Sequence, residues 1–206
     1  MSVVRKITVG GVIKEGINIG IKNSLSLLGS TLLWLITFWI PYLNVGTTIA
    51  INTIPIELSK GKVISPTFIF DAKYRRYMGE YFNLIGLMLM SLIPAFFFMI
   101  IPGYVIIIGW SLAIYILLDK GVSPSEALIQ SNNATYGYKW TIFFVNLIMV
   151  VIFYVLLYVL LSIFVFNENI GIFLAVVLYL LLIVISQGCS AAIYKGLTKD
   201  EVTPAE

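Results

Sequence analysis

Hydrophobic residues in this chain gather into six long runs, at residues 25–41, 45–58, 84–101, 104–118, 141–166 and 170–192, separated by short polar stretches. An α-helix rises about 1.5 Å per residue, so about 20 apolar residues are needed to cross the hydrocarbon core of a bilayer. The second and fourth runs are short by that measure. The second also carries Asn44, Thr47, Thr48, Asn52 and Thr53. Taken alone, either could be re-entrant.

The placement of cations argues for keeping both as crossings. With six crossings and a cytoplasmic N-terminus, the external turns shrink to residues 41–44, 101–103 and 167–169, and none contains Lys or Arg. All 13 basic residues then lie on the cytoplasmic side, which satisfies the positive-inside rule without exception. Removing the second crossing alone would move the basic residues from Lys60 to Arg76 outside. The expectation is an all-α, polytopic membrane protein with six transmembrane helices as three hairpins, and with cytoplasmic interfacial helices. It forms a single membrane domain over residues 1–206, multi-pass in the cell inner (plasma) membrane, with both termini cytoplasmic. Composition agrees: 60% of residues are hydrophobic and 11% charged, against about 45–50% and 25% in soluble domains. Residues 1–22 have no uninterrupted apolar core with a small-residue cleavage site, so no cleavable signal peptide is expected.

Each hairpin ends at the same dipeptide: Lys60-Gly61, Lys120-Gly121 and Lys195-Gly196. Such a pair suits a helix C-terminus, with glycine free to adopt positive φ and the cation facing the dipole. Ser65-Pro66 and Ser123-Pro124 follow the first two as capping serine and first-turn proline. Glycines then precede the next crossings at Gly79 and Gly137, and Gly20 stands in the analogous place before the first. The pattern predicts a threefold repeat over residues 11–61, 66–121 and 124–196, each a surface helix, a glycine joint and a hairpin, related by an axis along the membrane normal.

The surface helix expected at 66–81 puts Phe70, Tyr74, Tyr77 and Tyr81 on one face and Lys73, Arg75 and Arg76 on the other, with Asp71–Arg75 and Arg76–Glu80 as i,i+4 pairs. Lys73, Arg75, Arg76, Tyr74 and Tyr77 are therefore candidate contacts to lipid headgroups. The helix expected at 124–139 is more polar, with Gln130, Ser131, Asn132, Asn133 and Thr135. It suits packing against other cytoplasmic protein.

Ile101-Pro102-Gly103, Leu118-Asp119, Ser125-Glu126-Ala127-Leu128, Ser131 and Gly137-Tyr138-Lys139-Trp140 follow one another in a string. That string resembles a family of uncharacterised bacterial six-helix membrane proteins related to the membrane domain fused to some glycerophosphodiester phosphodiesterases. The resemblance is clearest over residues 101–144. It implies a six-helix membrane fold and no particular mechanism; the phosphodiesterase chemistry of the fused proteins belongs to a separate soluble domain.

Asn44, Thr48 and Asn52 form one stripe of the second run, and Asn146 and Gln187 are intramembrane polar groups in the fifth and sixth. Buried amides and hydroxyls of this kind either bond across helices or line a wet cavity, a choice that Pro55 near the inner end leaves open. These five are the candidate cavity-lining residues. No Asp, Glu, Lys or Arg lies at mid-membrane, which disfavours a proton-coupled transporter. The chain has no His, and Cys189 is its only cysteine, so a His- or Cys-based metal centre is excluded, and no catalytic, cofactor-binding or nucleic-acid-binding motif is present. The expected function is non-enzymatic: a scaffold or accessory subunit contacting membrane lipids, a protein partner or a second copy through cytoplasmic helices. The alternative is a channel or transporter for a small neutral solute or ion.

Overall fold

The computed structural model describes residues 7–166 and 168–198, and these are all-α. Both chain ends, and Asn167 of the expected 167–169 turn, lie outside the described residues. Helix α1 (Val9–Lys22) begins at Thr8, whose hydroxyl accepts from the Gly11 amide at 3.2 Å. Helices α2 (Ser24–Thr37), α3 (Pro41–Asn52) and α4 (Ile54–Ser59) follow, and α4 ends at Gly61 with φ +74°. After two short 3₁₀ segments come α5 (Met78–Phe98), α6 (Ile100–Gly109), α7 (Ala113–Lys120), α8 (Pro124–Thr135), α9 (Lys139–Phe166) and α10 (Glu168–Thr198).

Four stretches are long and apolar enough to cross a membrane: Ala72–Phe98, Ile100–Lys120, Lys139–Ser162 and Gly171–Thr198. The bent pair α1–α2 would make a fifth if it were a single span. The chain is thus a multi-pass membrane protein by its helices. Neither α2 nor α3 reaches a span by itself, since 14 and 12 residues give roughly 21 and 18 Å of helix.

The N-terminal helix packs along one side against α10 and is exposed on the other. It runs antiparallel along the C-terminal half of α10: Ile7 meets Gly196, Gly16 meets Cys189 and Gly20 meets Val184. The glycines permit this approach, for a Cβ on Gly16 would lie 2.8 Å from the Cys189 backbone and one on Gly20 would lie 2.6 Å from the Val184 carbonyl oxygen. Gly20 is therefore a helix-packing glycine. The break falls at Asn23, whose amide bonds back to Gly20 and whose side chain donates to the Ile19 carbonyl at 2.9 Å. There the chain turns by 75° into α2. The expected glycine joints differ accordingly: Gly137 has φ +83° and redirects the chain from α8 into α9, whereas Gly79 lies inside continuous helix. Lys195-Gly196 likewise sits within α10, so only Gly61 and Gly121 (φ +64°) cap as expected.

The stretch Ile100–Lys120, from the start of α6 to the end of α7, is interrupted at residues 110–112. Backbone groups freed inside an apolar environment must find partners, and α8 supplies them. The Ser131 hydroxyl donates to the Gly109 carbonyl at 2.7 Å and accepts from the Leu112 amide at 3.2 Å, while Thr135 donates to the same carbonyl at 3.2 Å. Both side chains are fully buried. The polar helix expected to face outside protein therefore spends its hydroxyls inside this one.

Candidate functional site

A concavity lined by several charged side chains lies where three helix ends meet. Ser59 and Lys60 from α4, Asp119 and Lys120 from α7, and Tyr194, Lys195 and Thr198 from α10 line a cavity of about 630 Å³. The three Lys-Gly positions of the sequence thus converge on one space. Asp119 ties them together: its carboxylate pairs with Lys60 and accepts from the Tyr194 hydroxyl at 2.7 Å. Lys195 pairs with Glu15 of α1 at 2.5 Å, and Lys120 donates to Gln130 of α8 at 3.0 Å. Tyr194 is buried and stacks edge-on against Tyr115, centroids 5.8 Å apart.

Its electrostatics are largely self-compensated. The negative ends of α4, α7 and α10 point at the three lysines, and cations at helix C-termini are stabilised by the macrodipole. Asp119 and Glu15 offset two of these three positive charges, those of Lys60 and Lys195. Such an arrangement holds helix ends together. On the far side of Asp119 a second concavity, about 430 Å³, is lined by Glu57, Lys73, Arg76, Tyr77 and Glu80 among others. It too mixes both signs of charge. Among the described residues no group of three or more carboxylate or thiol side chains is placed to hold a metal ion.

The segment carrying the expected headgroup contacts departs from the expected helix. Residues 66–81 do not form one α-helix: 3₁₀ turns at Pro66–Phe70 and Ala72–Tyr77 are separated by extended Asp71 (φ −61°, ψ 126°). The reason is local. The Asp71 carboxylate accepts from the Lys73 amide at 3.0 Å and pairs with the Lys73 ammonium at 3.1 Å, which stops the first turn and starts the second. The Lys73 amide, then its ammonium, hold the Asp71 carboxyl below the usual carboxylate range. The aromatic face therefore does not exist. Tyr74 is buried, packed edge-on against Phe68 at 5.9 Å. Arg75 lies half-buried over the Gly46 gap of α3, its guanidinium 5.8 Å from the Tyr42 ring. Tyr77 is half-buried, and Lys73 and Arg76 remain exposed.

The polar stripe of the second run is bonded internally. The Trp34 indole donates to the Thr48 hydroxyl at 2.9 Å, and Thr48 donates to the Asn44 side-chain oxygen at 2.9 Å. The Asn52 amide donates to the Thr48 carbonyl at 2.9 Å and to the Tyr81 hydroxyl at 3.3 Å. Thr37 and Thr47, both buried, share a hydroxyl contact of 3.2 Å. None of these bonds reaches Asn146, which is exposed on α9, or Gln187, half-buried on α10. Comparison with protein-family models, curated proteins and solved structures gives no match.

Proposed function

We propose that this chain is a non-enzymatic integral membrane protein that acts as a scaffold or accessory subunit, contacting lipid or partner protein through the segments on its basic side. The supporting observation is where its polar groups go. Asn44, Thr48 and Asn52, the residues best suited to line a solute path, are joined to one another and to Trp34 and Tyr81. In low dielectric a satisfied network of this kind rigidifies packing. Polar concavities gather instead beside Lys60, Lys73, Arg76, Lys120 and Lys195. The resemblance to the bacterial six-helix family enters this reading as a proposal of kinship, and the cytoplasmic face is assigned to the basic side by the positive-inside rule.

A channel would need water at Thr48. In a Cys189→Ala background, Thr48→Cys should stay unreactive toward a small membrane-permeant aqueous thiol reagent, while Lys62→Cys on the exposed basic side reacts. Reaction of the position-48 thiol at the same rate as that of position 62 would favour the solute path and sink the scaffold reading.

A further inference from the structure

The helical hairpin formed by α2 and α3 is inside-out. Its inner face carries the buried hydroxyls of Ser30, Thr37 and Thr47, with Trp34 bonded to Thr48 across it. Its outer face and tip carry Leu25, Leu32, Leu35, Ile36, Trp39 and Tyr42, all exposed, Leu25 at 85% and Trp39 at 84%. Water does not stabilise such a surface, whereas an acyl environment does. The hairpin is also short and tilted. Because α1 lies antiparallel along α10, the 75° turn at Asn23 directs α2 steeply away from the axis of that span. The partners of the hairpin come from the basic side of the molecule. Ser26 donates to the Ile64 carbonyl, Gly29 packs on Pro66, Arg75 lies along Gly46 toward Tyr42, and Asn52 bonds Tyr81.

We propose that residues 24–52 form an interfacial hairpin, which enters the leaflet on the basic side, lies nearly in its plane and does not cross, so that the chain crosses the membrane four times. Its occupant is the headgroup–acyl boundary of that leaflet. Trp39 and Tyr42 suit that boundary, because aromatic rings with a polar tip favour it. Arg75, against the Tyr42 ring, places a cation where phosphates lie. Removing both early crossings together leaves all basic residues on one side, so the charge rule is kept. The assignment rests on the membrane-protein reading above but on neither the scaffold nor the channel alternative.

The test uses the full chain in Cys189→Ala background. Trp39→Cys, an exposed tip position, is labelled with an environment-sensitive fluorophore and reconstituted into vesicles of phosphatidylcholine and phosphatidylglycerol. Expected are quenching by nitroxides near the headgroup in preference to nitroxides at the acyl terminus. In oriented cell-derived vesicles the unlabelled Trp39→Cys protein should react with a charged, impermeant maleimide only from the side that labels Lys62→Cys. Reaction from the side that labels Ile101→Cys would establish a crossing and overturn the hairpin. Shielding from both maleimide and lipid nitroxides would mean that protein covers the tip, which also overturns the lipid assignment. The Thr48 reactivity test can fail without altering these outcomes, so the two readings fall separately.

Discussion

Replacing Gly16 by Ala tests whether the seam between α1 and α10 holds the N-terminal third of the protein in place. An added Cβ would lie 2.8 Å from both Cα and N of Cys189, where an ordinary contact begins near 3.4 Å. The nearest atom is the Cys189 Sγ at 2.6 Å, but the next two are backbone, so side-chain rotation alone does not relieve the clash and the helices must separate by about 0.6 Å. A gap of that order forfeits roughly a quarter to a half of each dispersion contact along the seam, and overpacking of this kind costs about 1–3 kcal/mol. Better helix propensity of alanine offsets up to about 1 kcal/mol. A net loss of about 1–2 kcal/mol is expected, which lowers the midpoint by about 2–8 °C for a domain of this size. The assay is thermal unfolding of the detergent-solubilised protein, followed by size-exclusion recovery at a fixed heating rate, since membrane proteins unfold irreversibly and the number is kinetic. Gly10→Ala is the internal control, because nothing lies within 4 Å of its Cβ position on the same helix. Equal midpoints for Gly16→Ala and Gly10→Ala would refute the close-packed seam.

Two further substitutions probe the polar ties. Ser131→Ala leaves the Gly109 carbonyl with a longer bond to Thr135 and the Leu112 amide with none in an apolar setting; a loss of about 2 kcal/mol is expected, read by the same thermal assay, and an unchanged midpoint would show that the break is satisfied otherwise. Asp119→Asn removes the charge that pairs with Lys60 while retaining an acceptor for Tyr194. Because Lys60 is 41% exposed, the loss should be only about 0.5–1 kcal/mol, and Lys60→Gln should add little in the double variant; additive losses would mean that the two residues act separately.

The long apolar runs made α5, α9 and α10 legible, because helices in lipid must satisfy their own backbone and therefore need continuous apolar sequence. Gly61 and Gly121 were legible as C-caps for a similar reason: positive φ after a lysine is local chemistry. What escaped were features fixed by tertiary contact. Residues 66–81 have good α-helical spacing, yet one Asp71 carboxylate bonded to the Lys73 amide divides them into 3₁₀ turns and buries Tyr74. Gly20 looks like a joint by analogy with Gly137, but its neighbour is the Val184 carbonyl, 164 positions along the chain, which no local pattern reveals. The helix at 124–139 suits packing against other protein by its composition, yet Ser131 and Thr135 bond the Gly109–Leu112 break of this chain; the i,i+4 pair of hydroxyls, taken with the Gly109-Trp110-Ser111 interruption of an apolar run, is the available signal. For the polar stripe, spacing correctly grouped Asn44, Thr48 and Asn52, and only the partners Trp34 and Tyr81 distinguish packing from a wet wall.

The same contacts explain why the first hairpin differs from the two that follow. In α5–α6 and α9–α10 the chain enters the apolar region along the axis of a long helix, and in the latter a surface element hands over through Gly137 at φ +83°. At the N-terminus that surface element has been drawn inward: α1 occupies the flank of α10, held by the glycines at 16 and 20 and by the Glu15–Lys195 pair. With α1 already aligned to the span, the 75° turn at Asn23 leads the chain away from that axis. The helices beyond it then have room for 14 and 12 residues before α4 must return Lys60 to Asp119. Hydroxyls and amides on the facing sides of α2 and α3 are the consequence. Two short helices with apolar exteriors gain nothing from hydrophobic contact with each other in lipid, so hydrogen bonds and close packing of small residues must join them. The polarity of the second run and its insufficient length are therefore one property of a hairpin that packs inward with polar groups and faces lipid with the rest.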